Sequence, residues 1–223
     1  MAHILCVIGY KGGTGKTTVS HLLAQGLGLN GQSAACVLTD VGREPLDPTG
    51  RRYLIADARS GEALIKVVQT LRTLEGWIGV IDGGANRPET DDRLSRIADL
   101  VLIPFRDSQE DLRCLVRDLA RFPQAWALPS QWPTNPWQRE ASERMLSTRL
   151  GALSSRVLPP VPMLSASKLL LQKELPAALP FALKDTCRRL AAQVTALLPE
   201  RSRSLGMDAP RTALSDRSGL AFA

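Results

Sequence analysis

The 223-residue chain is 44% hydrophobic and 22% charged, an ordinary balance for a protein that buries a core, and its length suits one large α/β domain. A net charge of +6 suits a polyanionic partner, either nucleic acid or an acidic membrane surface, while aromatics at 4% leave the core to Leu, Val, Ile and Ala. No apolar stretch approaches bilayer length, and the first apolar run (residues 4–8) enters a glycine loop where a leader would have a cleavage site, so neither a membrane span nor a secretory signal is expected.

Taken in order, residues 3–9 read as a buried strand, followed by the glycine loop and a helix over about 16–29. Residues 34–39 read as a second strand and 53–56 as a candidate third. Over 62–74, the apolar residues Leu64, Val67, Val68, Leu71 and Leu74 recur at helical spacing. A strand over 77–81 ends on Asp82, a helix is expected at 93–98 and a strand at 100–104. Leu112, Leu115, Val116 and Leu119 mark one face of the next helix. Four prolines punctuate 122–137, with room for a short strand at 125–128; helices are expected over 139–150 and 181–198. The segment 199–223 is rich in Ser, Arg, Gly and Pro and is expected to be a disordered tail, leaving 1–198 as one domain. Strands that are continuous apolar runs alternating with helices predict a doubly wound, mostly parallel sheet flanked by helices. Cys6, Cys36, Cys114 and Cys187 form no CxxC pair, and His3 and His21 have no metal-ligand spacing, so free thiols in a reducing cytoplasm are expected.

The strongest chemical signal is the loop Lys11-Gly12-Gly13-Thr14-Gly15-Lys16-Thr17-Thr18 between the first strand and first helix. Its glycines allow the backbone N–H groups to turn inward on phosphate oxygens. Lys16 at the helix start supplies positive charge to the β- and γ-phosphates, and Thr17 offers a hydroxyl to Mg²⁺. Asp82, at the end of an apolar strand, stands where a carboxylate helps hold that metal.

The common P-loop pattern has glycine where this chain has Tyr10, and Lys11 opens the motif instead. Those eight residues resemble the deviant Walker A loop of the ParA/MinD family of ATPases, within the SIMIBI type of P-loop NTPase. The resemblance covers residues 1–119 clearly and the rest in outline. It implies ATP and Mg²⁺ as cofactors, with Gly12, Gly13, Thr14, Gly15, Lys16, Thr17 and Thr18 binding nucleotide. It also implies that Lys11 crosses a dimer interface to the partner's phosphates, and that Asp40, 24 residues after Lys16, orients the attacking water. The chain departs from the family in three places. Leu38 replaces a second aspartate, Gly83-Gly84 replaces a threonine and prolines after Asp82, and Leu128-Pro129-Ser130 stands where an asparagine usually reads adenine.

Basic residues concentrate in the second half, and Lys184, Arg188 and Arg189 share part of one predicted helix face. By resemblance, these three are candidates for nonspecific DNA contact by an ATP-bound homodimer, with a ParB-like or adaptor protein stimulating hydrolysis. No stable membrane anchor is expected, and DNA binding would make the protein nucleoid-associated. The expected function is slow, partner-stimulated ATP hydrolysis that positions or partitions a plasmid, chromosome region or protein cluster. Two alternatives remain: a weakly hydrolysing switch or scaffold in flagellar, secretion or conjugative machinery, and a metabolic ligase of the dethiobiotin synthetase type.

Overall fold

The computed structural model describes residues 1–42, 46–85 and 87–199. Of the tail expected over 199–223, residues 200–223 lie outside the described residues, as do 43–45 and 86. A six-stranded sheet has the order β3-β2-β4-β1-β5-β6. Its strands are β1 (His3–Val7), β2 (Ser33–Leu38), β3 (Leu54–Asp57), β4 (Trp77–Asp82), β5 (Leu100–Phe105) and β6 (Ala125–Pro129). Every pairing is parallel. The doubly wound α/β architecture expected from the alternating pattern is therefore the one observed.

Both faces of this sheet are covered, which is why its strands lack a polar alternation. Leu5 and Val7 of β1 join a core beneath α1 (Lys16–Leu29) and α6 (Phe181–Thr195). Ile4 and Cys6 join the opposite core with α2 (Gly61–Thr73), α3 (Pro88–Ile97) and α4 (Gln109–Arg121). Helix α5 (Pro136–Leu150) and two short 3-10 segments, Gly151–Arg156 and Ser165–Leu171, complete the described elements.

Helix α1 is held closely on two sides. A Cβ at Gly26 would lie 1.9 Å from the carbonyl oxygen of Cys187 in α6, and one at Gly28 would lie 1.8 Å from that of Arg52. Its buried polar residues are partnered: His21 Nδ1 lies 2.7 Å from the Tyr53 hydroxyl, and Gln25 accepts the Arg52 N–H at 3.2 Å. Arg51 extends this knot, donating to the Tyr53 hydroxyl and to the carbonyls of Asp47, Leu170 and Gln172.

Four expectations shift. Helix α5 begins at Pro136, ahead of the expected 139, and α6 ends at Thr195, short of the expected 198. Helix α3 begins at Pro88, five residues before the expected start, because proline fits the first helical position and Glu89 and Asp91 favour the first turn, although neither shows in an apolar period. On α4 the buried face is Leu112, Leu115 and Leu119, whereas Val116 is 39% exposed.

Candidate phosphate-binding site

Central strand β1, flanked by β4 and β5, ends at Val7, and the glycine loop leaves from there to start α1. Gly13 (φ 75°) and Gly15 (φ 91°) adopt left-handed conformations that only glycine holds without strain. Gly15 caps α1 with no side-chain hydrogen bond, and no acidic residue occupies the first turn. The first-turn N–H groups and the positive end of the helix are thereby available to an anion.

Tyr10 does not need the conformational freedom of glycine, since its φ is not positive. Its N–H donates to Asp118 Oδ2 at 3.0 Å, and the Arg117 guanidinium lies 5.6 Å from its ring centroid. The preceding Gly9 N–H hydrogen-bonds the Asp91 carboxylate. The leading limb of the loop is thus braced by carboxylates from α3 and α4. Burial pushes both carboxyl pKa values up, that of Asp91 to about 6.

Lys16 is buried, and its ammonium donates to the Lys11 carbonyl at 2.7 Å. Burial lowers its pKa, while Asp91, Asp82 and Asp118 work in the opposite direction. A cleft of about 270 Å³ brings Gly13, Gly15, Lys16, Thr17 and Thr18 together with Asp40 and Gly83-Gly84. Asp82 is 1% exposed and sits behind this cleft, where its Oδ1 accepts from Ser20 Oγ at 3.3 Å. Thr39 Oγ1 donates to the Asp82 carbonyl at 2.7 Å, tying the end of β2 to the end of β4 just before Asp40.

Gly83 is a fit to close quarters: a Cβ there would meet the Val7 carbonyl at 2.8 Å. Among the described residues no group of three or more His, Cys, Asp or Glu could hold a metal. The donors around the cleft are hard oxygens from Thr17, Asp40 and, behind it, Asp82, a set that suits Mg²⁺ completed by phosphates and water.

The remaining sequence candidates go elsewhere. Thr14 is buried, and its carbonyl accepts the Ser130 hydroxyl. Gly12 faces Ala85, whose Cβ lies 3.6 Å from where a Cβ on Gly12 would be. Lys11 points away from the cleft to Asp111 Oδ1, 3.0 Å distant. Lys184, Arg188 and Arg189 lie on α6 and none lines the cleft; Arg189 pairs with Asp185 at 2.8 Å, and Arg188 is exposed.

Sequence reasoning missed Gln131. It has φ 50°, the sole positive φ of a non-glycine among the described residues, and its Nε2 would lie 3.1 Å from a Cβ on Gly15. Such a backbone costs about 1–3 kcal/mol and tends to occur at functional sites. Gln131 also borders a second pocket of about 310 Å³, which shares Gly15 and Thr18 and is walled by Val161, Pro162 and Leu164. A mostly apolar recess beside a phosphate cleft can hold a planar base. No residue pattern in the sequence announced either feature, because both arise from loops meeting in space.

The sequence matches no protein-family model and no curated protein. Solved structures do resemble it. The MinD cell division protein of Aquifex aeolicus matches with a TM-score of 0.66 and 16% identity, over 87% of this chain and 98% of that one. An ATP complex of Cyanothece McdA matches with a TM-score of 0.63 and 14% identity, over 91% and 99%. A putative plasmid partition protein from Borrelia burgdorferi B31, bound to AMPPNP, matches with a TM-score of 0.62 and 14% identity, over 88% and 99%. This chain therefore has the P-loop fold of MinD, McdA and plasmid partition proteins.

Proposed function

We propose that this protein is a ParA/MinD-type ATPase that binds Mg–ATP, dimerises in the ATP state and hydrolyses it slowly to ADP and phosphate. The observation that carries the reading is the single cleft joining the glycine loop, Lys16, Thr17 and Asp40 at the free N-terminus of α1. In that cleft the loop N–H groups take the phosphates, and Lys16 exchanges the Lys11 carbonyl for phosphate oxygens. Thr17 and Asp82, whose Oδ1 accepts from Ser20, would hold a magnesium ion, which would supply positive charge against the phosphates. Asp40 orients a water in line with the γ-phosphate. The recess beside Gln131 takes the adenine base.

An ATP-bound homodimer presents Lys184, Arg188 and Arg189 to nonspecific DNA, a ParB-like or adaptor protein stimulates hydrolysis, and release positions or partitions a cargo. No described helix is long and apolar enough to cross a membrane.

The deciding experiment measures binding to a random DNA duplex at low and moderate salt, with ATP, ADP or no nucleotide, for wild type and Lys16→Ala. Tight binding with ATP alone, lost in the variant and weakened by salt, is the expected result. Binding that ignores nucleotide, or none, overturns the DNA cycle. Asp40→Ala is expected to bind ATP yet lose turnover; unchanged turnover removes Asp40 from the mechanism.

A further inference from the structure

The recess beside the phosphate cleft draws its walls from distant parts of the chain. Thr18, Val19 and Leu22 of α1 form one wall, and Met163, Leu164 and Ser165 form the other. The second wall runs on into the 3-10 segment Ser165–Leu171. Ahead of that segment the chain is held by main-chain bonds: the Val161 N–H donates to the Pro129 carbonyl and the Met163 N–H to the Trp132 carbonyl, each at 2.8 Å. Behind it the chain is held by a side chain, because the Arg51 guanidinium donates to the Leu170 carbonyl at 2.8 Å and to the Gln172 carbonyl at 2.7 Å.

Arg51 is itself buried and fixed. Its Nε donates to the Asp47 carbonyl at 2.8 Å, and its Nη1 donates to the Tyr53 hydroxyl at 3.0 Å. That hydroxyl lies 2.7 Å from His21 Nδ1 on α1. Between them, the Arg52 N–H donates to Gln25 of α1 at 3.2 Å, and the Arg52 carbonyl lies against the bare face of Gly28. Residues 51–53 therefore stitch the helix that carries one wall to the segment that carries the other. A planar guanidinium can serve acceptors on several segments at once, which a lysine ammonium cannot reproduce from the same place. The 3-10 segment has poorer internal hydrogen-bond geometry than an α-helix, so its position leans on such outside bonds.

We infer that Arg51 is a positioning residue for the nucleobase: by joining α1 to the 165–171 segment it sets the spacing of the recess walls, and with it the affinity that the base contributes. This inference rests on the placement of the base proposed above. Arg51 lines neither the recess nor the phosphate cleft, so it acts through the walls and not on the nucleotide. Phosphate binding is independent of the stitch, since the cleft around Lys16 and Thr17 is lined by none of residues 51–53 or 163–171.

The test compares Mg–ADP with Mg–pyrophosphate, which has phosphates and no base, by calorimetric titration of the full chain as wild type, Arg51→Lys and Tyr53→Phe. Thermal unfolding of each serves as the structural control. Arg51→Lys is expected to weaken ADP binding about five- to tenfold and to leave pyrophosphate within about twofold; Tyr53→Phe moves ADP the same way by about two- to threefold. A variant that is merely less folded weakens both ligands alike. Hydrogen exchange on the wild type gives a second reading that needs no variant: ADP is expected to slow exchange over both 164–173 and 51–53, and pyrophosphate over neither. A wild type that binds pyrophosphate as tightly as ADP overturns the base reading of the recess and the role of Arg51 with it. A wild type that prefers ADP, with variants that weaken both ligands alike or neither, overturns the role of Arg51 alone. So does protection by ADP that is absent from 51–53.

Discussion

Asp91 is an acid whose charge the fold accommodates poorly. It is 2% exposed, its Oδ1 is buried with no hydrogen-bond partner, and burial lifts its pKa from 3.8 to about 6. Lys16, the Gly9 N–H and Arg121 favour the ionised form, while Asp118 opposes it. The folded state therefore holds a proton more tightly than the unfolded chain does. Between about pH 4 and pH 6 the native protein binds more protons than the unfolded one, so this group makes stability fall as pH rises through that window, and the loss is complete above it. A rise of about two pH units in pKa corresponds to about 2–3 kcal/mol. Asparagine is neutral at every pH and its carbonyl can still accept the Gly9 N–H. Asp91→Asn is accordingly expected to match wild type near pH 4 and to exceed it by about 2–3 kcal/mol at pH 7.5, roughly 5–10 °C in melting temperature for a chain of this size. Thermal and urea unfolding across pH 4–8 would read the difference. An offset between the two proteins that is the same at both ends of that range would refute the assignment of a buried, charged Asp91.

Three further outcomes can be checked with single variants. Gly26→Ala gains about 1 kcal/mol in helix propensity but drives a Cβ to within 1.9 Å of the Cys187 carbonyl, so unfolding measurements should show a net loss of about 2 kcal/mol; Gly61→Ala, with nothing within 4 Å, should be neutral or slightly stabilising. Ser130→Ala removes the hydroxyl bonded to the Thr14 and Phe105 carbonyls, and nucleotide titration should show affinity weakened by about 1 kcal/mol, roughly fivefold. Gln131→Gly relieves a left-handed backbone and should raise stability by about 1 kcal/mol while lowering nucleotide affinity, since its amide lies over Gly15; unchanged affinity would leave Gln131 without a role at the site.

The architecture was readable because each strand is a short apolar run and the glycine loop falls at the junction of β1 and α1. The loop from Lys11 to Thr18 could be read directly, since its function depends on consecutive backbone groups. Asp40 was named through the family resemblance, and it lines the same cleft as Lys16 and Thr17. Asp82 was found by its place at a strand end, and lies one layer back, bonded to Ser20. What stayed hidden is what the sheet order brings together. Asp91 and Asp118 reach Gly9 and Tyr10 from helices about 80 and 110 residues further along the chain, and periodicity registers them only as polar positions on amphipathic helices. Ser130 and Gln131 meet the loop through β6, which is set two strands away from β1 by the sheet order. The start of α3 was misplaced because Pro88, Glu89 and Asp91 signal a helix end through capping chemistry, with no apolar stripe behind it.

The clasp on α1 has a mechanical consequence. With Gly26 pressed to the α6 backbone and Gly28 to the Arg52 carbonyl, the helix bearing Lys16 and Thr17 is packed closely on two sides. It serves as a fixed datum. A rearrangement caused by an anion bound at its N-terminus would then fall on the opposite wall, where Asp40, Gly83 and Gly84 meet the cleft, and on the braced limb from Gly9 to Lys11. A residue change that slackens the α1–α6 contact would dissipate that displacement inside the molecule before it reached any surface able to report it.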